Sequence, residues 1–245
     1  MRGYFSFTIV EAHVNKFLML SASLAALSIT VPGAYAADLW TNYSEPLIIS
    51  SAEYDWSGFY AGVFAGYGAG RATSTSLVPA TESPVDVQGM LLGGTLGANA
   101  QFGNFVLGVE GDLAWSGIDG SATCAAPAFT CNGSLDWLSS GKLRAGVAVD
   151  KVLLFGTAGI SAGGITASVD PAPGGATGTF SSTVWGWTIG GGAEMAVTDA
   201  MSIKAEYAYH DFATVQAPVN TIANLGPTDI SSSAHTVKLG LNYRF

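Results

Sequence analysis

The closing stretch Val237 to Phe245 (VKLGLNYRF) sets Val237, Leu239, Leu241, Tyr243 and Phe245 on one face and Lys238, Gly240, Asn242 and Arg244 on the other. Strand side chains alternate between faces, so this is a strand with one apolar side and one polar side. A water-soluble sheet shows the same period. Here, however, the apolar side ends on two aromatic rings, which suits a hydrocarbon layer with rings at its boundary. The same constraint spreads along the chain. It is 49% hydrophobic and only 11% charged, against roughly 25% charged for an ordinary soluble domain. Yet outside the N-terminal stretch no segment has the roughly 20 consecutive apolar residues of a helix through lipid. A chain that is apolar in total but never in long runs distributes its apolar residues by alternation. In a membrane only a closed barrel permits this, because every backbone group is then paired between strands.

The N-terminus reads as an export signal. Lys16 precedes an apolar run from Phe17 to Val31, followed by Pro32 and the small-residue pattern Ala34-Tyr35-Ala36. That is a secretory signal peptide over residues 1–36, cut before Ala37. Glu11 and His13 add nothing to a positive leader start, which predicts translation from position 14, with Val14 read from a non-standard start codon. A precursor whose N-terminal sequence begins at Met1 refutes this. About 210 residues remain after cleavage, enough for one barrel. Residues 37–55, with Pro46, are expected as a periplasmic lead-in, and 56–245 as the barrel.

Eight alternating segments follow. Trp56 to Gly68 turns Phe59, Ala61, Val63, Ala65 and Tyr67 outward and Tyr60, Gly62, Phe64 and Gly66 inward, the glycines fitting a narrow interior. Gln88 to Phe102 and Phe105 to Trp115 are joined by Gly103-Asn104, and the latter turns Phe105, Leu107, Val109, Leu113 and Trp115 out. Leu135 to Val149 and Val152 to Ala162 meet at Asp150-Lys151, with Trp137, Leu143, Ala145, Val147, Leu154, Ala158, Ile160 and Ala162 outward. Val184 to Val197 and Met201 to His210 meet at Thr198-Asp199-Ala200, with Trp185, Trp187, Ile189, Met195, Ile203, Tyr207 and Tyr209 outward. Ser233 to Phe245 closes the set. Connections alternate between short turns and the Gly/Ser/Thr/Pro-rich segments 69–87, 116–134, 163–183 and 211–232, which predicts periplasmic turns and four long extracellular loops. The fold class is therefore all-β, an eight-stranded antiparallel up-and-down transmembrane barrel. Tryptophans and tyrosines near the long connections, and Phe59, Phe105, Tyr243 and Phe245 at the other rim, predict two interfacial girdles.

The inward parity carries charge. Glu110, Asp112, Lys142, Arg144, Glu194, Lys204, Glu206, Lys238 and Arg244 all share it. Unpaired buried charge is costly, so opposite signs on neighbouring strands are expected to pair: Glu110 and Asp112 with Lys142 and Arg144, and Glu194 and Glu206 with Lys204 and Lys238. Such a network fills the interior of so narrow a barrel, and an electrostatic gate is the alternative reading. The long connections carry Glu82, Asp86, Asp119, Asp170 and Asp229 against Arg71, as a solvated outer face. A net charge of −9 excludes nucleic acid as a partner. Cys124 and Cys131, in one Gly/Ala/Pro-rich segment of an exported chain, predict a local disulfide, and two ligands without a nearby histidine do not make a metal site.

Motifs suggestive of chemistry are weak. Gly159-Ile160-Ser161-Ala162-Gly163, with Asp199 and His235 downstream, has the form of a serine-hydrolase elbow, but that motif requires a strand turning sharply into a helix, and a glycine-rich loop is expected here instead. The cluster Gly93, Gly94 and Gly97 lies within unbroken alternation with no phosphate-binding lysine after it. His210 and His235 are histidines to consider for haem, and an interfacial or hydrogen-bonded role suits them better. No enzymatic activity and no resident cofactor are expected.

The run Asp55-Trp56-Ser57-Gly58-Phe59-Tyr60-Ala61-Gly62, then Gly108-Val109-Glu110-Gly111-Asp112-Leu113, and the closing Lys238 to Phe245 resemble the small porin-like outer-membrane proteins of alphaproteobacteria, within the OmpA-like transmembrane barrels. The resemblance covers essentially the whole chain after the leader. It implies insertion by the barrel assembly machinery, with Tyr243 and Phe245 matching the C-terminal aromatic recognition signal, and roles in envelope integrity, as a surface antigen and in some cases haem binding. Outer-membrane lipids and lipopolysaccharide are the implied surroundings, and a monomer the implied state. A peptidoglycan-binding domain after the last strand, as in the larger OmpA architecture, is not expected.

Overall fold

A computed structural model of the chain describes residues 54–77, 80–124, 129–171, 178–217 and 228–245. The expected signal peptide, its alternative start, most of the lead-in and the tips of the four long connections lie outside the described residues. The rest forms one closed sheet of eight strands in chain order: β1 Gly58–Leu77, β2 Ala80–Phe102, β3 Phe105–Thr123, β4 Phe129–Val149, β5 Val152–Pro171, β6 Gly178–Ala196, β7 Met201–Ala217 and β8 Thr228–Arg244. Each strand is antiparallel to the next, and β8 returns to β1 with Tyr243 opposite Ala61 and Lys238 opposite Gly66. No edge is left open, so no backbone row is unpaired in lipid.

The short turns are where the sequence puts them. Phe102 pairs with Phe105 around Gly103, whose φ of 60° suits a two-residue hairpin turn. Val149 pairs with Val152 around Asp150, the one described non-glycine residue with positive φ. Within the band between the aromatic rims the alternation is as expected. Phe59, Leu96, Leu113, Leu143 and Ile160 are each more than 60% exposed, while their sequence neighbours face a filled interior. Ala162, expected outward, is buried; its methyl is too short to reach past Trp185, its register partner.

The strands are longer than their alternation suggested. The segments expected as loops are largely continuous ladder: β1 and β2 stay in register from Gly58↔Asn99 to Leu77↔Ala80, and β5 runs on to Pro171. Small bulges interrupt β3 and β4 between Trp115 and Ile118 and between Leu135 and Trp137. Beyond the tryptophan rim the pattern inverts. Ile118, Leu135, Ile165, Val169, Val184, Phe212 and Ile230 turn inward as an apolar core, while Asp119, Thr130, Asp170 and Ser231 face out. The physical reason is a change of solvent: a wall in lipid hides polar residues inside, and the same wall in water hides apolar ones.

Candidate functional site

Between that apolar core and the short-turn mouth lies an ionic layer. Four acids, Glu110, Asp112, Glu194 and Glu206, meet four bases, Lys142, Arg144, Lys204 and Lys238, and none of these side chains is more than 5% exposed. Five strands, β3, β4, β6, β7 and β8, carry these charges, and the side chains share the inward parity. Lys142 is the hub. Its Nζ lies 3.0 Å from Glu110 Oε1 and 2.8 Å from Asp112 Oδ2, and it donates a short hydrogen bond to Glu206 Oε1. Lys204 Nζ lies 2.7 Å from Glu110 Oε2 and 3.4 Å from Glu206 Oε2, and Lys238 Nζ lies 2.7 Å from Asp112 Oδ2. Arg144 donates to Glu194, which also accepts from Ser202 and, at 2.8 Å, from Asn242.

The expectation that neighbouring strands pair is met only in part. Glu110 and Lys142 are register partners and touch, but Lys204 turns from its own partner Glu194 toward Glu110, and Lys142 and Arg144 of β4 reach Glu206 and Glu194 on β7 and β6. The two expected clusters are thus one network spanning the lumen. In a barrel this narrow, long side chains from opposite walls meet in the interior. Arg244 needs a correction: although it shares the inward parity, it lies at the short-turn rim, donating to the carbonyls of Asp55 and Asp199, with its guanidinium 4.5 Å from the Tyr54 ring. Parity fixes the face of a side chain but not its depth.

Neutral residues that the charge pattern did not single out complete the layer. Tyr60 donates to Glu110 Oε2 at 2.7 Å and accepts from Arg144 at 3.3 Å, and a Cβ at Gly97 would strike its ring. The Phe155 ring lies 3.9 Å from the Arg144 guanidinium, and Ser140 donates to Asp112. Their inward parity was readable, but their partners were not. Glu110, Asp112 and Glu206 are also the described group whose oxygens approach closely enough to hold a metal ion, within 4.8 Å of one another. The Lys142 ammonium sits among them, a cation tethered to the wall.

Other sequence candidates separate. Cys124 and Cys131 are joined, with Cα atoms 5.2 Å apart, and pack against the outer apolar core. Tyr243 and Phe245 lie exposed on the outer face with rings 5.5 Å apart, and the Phe245 N–H donates to the Phe59 carbonyl. Ser161 is inside the straight strand β5, with no elbow, and His235 is on the outer face with Nδ1 2.7 Å from the Tyr207 hydroxyl. His210 is buried beside Thr236, on the opposite face of the wall from His235. Gly93, Gly94 and Gly97 lie in β2, where Gly93 packs against Phe64. At the outer rim Arg71 and Asp86 form an exposed ion pair that holds the Asp86 carboxyl below its ordinary value.

Residues 21–245 match the family described as outer membrane protein beta-barrel domain. The 31 kDa outer-membrane immunogenic protein of Brucella melitensis biotype 1 is 31% identical over 248 residues, covering 93% of this chain and 99% of that protein. The 22 kDa outer membrane protein of Rhizobium leguminosarum bv. viciae is 31% identical over 192 residues, covering 78% of each. The crystal structure of the outer membrane protein OprG from Pseudomonas aeruginosa matches with a TM-score of 0.50 at 12% identity, covering 79% of this chain and 98% of that one; this is a likeness of fold alone.

Proposed function

The chain belongs to the outer membrane protein β-barrel domain family and resides in the outer membrane of a Gram-negative bacterium, and from that premise we propose that it is a closed, monomeric barrel that reinforces the envelope and displays its outer extensions to the surroundings. One observation carries the closed reading: the lumen is crossed by a charge-balanced network with no side chain more than 5% exposed, backed on the outer side by an apolar core. An ion crossing such a layer would have to displace buried, paired charges. The display role draws support from relatives named as outer-membrane immunogenic proteins and from ladders that project an exterior bearing Asp119, Asp170 and Ser231 beyond the tryptophan rim. Lipid and lipopolysaccharide would surround the apolar band. Delivery by the barrel assembly machinery through Tyr243 and Phe245 fits their outward placement beside β1.

The test is conductance in a planar bilayer, on protein whose folding is first verified by different electrophoretic migration before and after boiling. A closed lumen gives no steady current. Discrete, frequent openings would overturn the reading in favour of a narrow or gated pore. That second reading has one specific support: Lys204 and Glu194 are register partners that pair elsewhere, so the layer has an alternative set of lateral pairs within reach of its wall.

A further inference from the structure

We propose that Tyr54–Ser57 forms a removable cork in the periplasmic mouth, latched by Arg244, so that the movable part of the seal is four residues of lead-in rather than the strands. The sequence predicts a periplasmic lead-in up to Asp55 and a first strand opening at Trp56. Instead the ladder begins at Gly58, whose φ of 123° lets the chain turn sharply from the mouth into the wall. Trp56 is 3% exposed and packs against Val106, Ala148, Leu153, Phe155 and Ala196. Phe155 is also the ring beneath Arg144, so the cork abuts the ionic layer.

The way this segment is held separates it from everything around it. The Trp56 N–H donates to Gln101 Oε1 at 2.7 Å, the Gln101 N–H donates to Ser57 Oγ at 3.0 Å, and the Tyr54 hydroxyl reaches the carbonyl of Asp199 at 3.3 Å. Tyr54 meets Trp56 edge to face at 4.8 Å, and Arg244 clasps the Asp55 and Asp199 carbonyls. Every one of these bonds uses a side chain. The segment can lift out without breaking one rung of the sheet, whereas moving the ionic layer disturbs residues fixed on five strands. The wall's end also supplies the latch: Arg244 is the last residue of β8, opposite Tyr60 of β1.

This rests on the closed-lumen reading, and a single engineered thiol tests it. The described cysteines are disulfide-bonded, so Ser202→Cys places a distinctive thiol on the inner face next to Ala196, behind Trp56. Folded protein in detergent is treated with a small charged methanethiosulfonate reagent. Ser202→Cys alone reacts slowly; adding Trp56→Ala accelerates it at least tenfold, and adding Arg244→Gln accelerates it by a smaller factor. Thr236→Cys, 0% exposed and deeper than the ionic layer, stays unreactive in all backgrounds. Equal rates at Ser202→Cys with and without the cork substitutions would overturn the proposal. So would acceleration at Thr236→Cys as well, which would mean general loosening. Should Trp56→Ala fail to fold, Arg244→Gln at the rim decides alone. Steady current through the unaltered protein would sink the closed-lumen reading and the cork with it, whereas equal labelling rates in a protein that passes no current would sink the cork alone.

Discussion

Lys142→Met is expected to destabilise the folded barrel by about 3–5 kcal/mol, because removing one partner of a buried ion network leaves uncompensated charge in a dry interior. The magnitude belongs to the hub position. Lys142 is the cation common to Glu110, Asp112 and Glu206, whose oxygens lie within 4.8 Å of one another. Methionine preserves much of the stem and its packing, so the loss reports charge rather than volume. Glu206→Gln in the same chain restores the balance of charges and should recover a substantial part of the loss, with a coupling of about 0.5–3 kcal/mol between the two substitutions. Urea unfolding in lipid vesicles, followed by the heat-sensitive shift in electrophoretic migration, measures both. A change below about 0.5 kcal/mol for the single substitution, the usual range for surface sites, would mean that water reaches the layer. Salt sharpens the comparison. The Arg71–Asp86 pair, with side chains 55% and 75% exposed, is screened at high ionic strength, and the Lys142 effect should persist there.

The parts of this architecture visible in the sequence are those in which one environment acts on a whole strand. Hydrocarbon on one side and a filled lumen on the other enforce a strict two-residue period, so Leu143, Ile160 and Leu239 on the outer face and Lys142, Glu206 and Lys238 on the inner one are legible from order alone. Above the tryptophan rim that environment changes sign. Ile118, Ile165 and Ile230 turn inward there, and serine, threonine and glycine between them read as loop although their backbones continue the ladder. Composition carries no mark of that reversal. Depth is equally silent: Arg144 and Arg244 share a parity, yet one lies in the ionic layer and the other at the rim clasping the lead-in. Pairing across the lumen is also invisible to a strand-by-strand reading, since Lys204 and Glu110 are far apart in the chain and on strands that are not neighbours. Trp56 was visible as an aromatic at the start of the barrel. Its burial depends on the sharp turn at Gly58, which only the folded backbone discloses.

The hydrocarbon assignment itself has a single-residue test. Leu143→Arg should destabilise the barrel in a bilayer by about 2–4 kcal/mol, the cost of an arginine near the midplane on the lipid face of a transmembrane barrel. Leu143 is suited to it because it is 69% exposed and lies opposite Val109 on β3 and Ala158 on β5, between the two aromatic rims. It also sits between Lys142 and Arg144, so the substitution leaves the inner face untouched while placing a third base outside. In a water-soluble sheet the same change at such an exposed position would be near neutral, within about 0.5 kcal/mol. Lipid and water therefore predict different outcomes for one side chain. Asp119→Arg, exposed on the outer extension, is the matched control and should shift the urea midpoint little. If Leu143→Arg proved as mild as Asp119→Arg, the face carrying Leu143 would not be meeting hydrocarbon, and the inverted pattern above the tryptophan rim would lose its explanation.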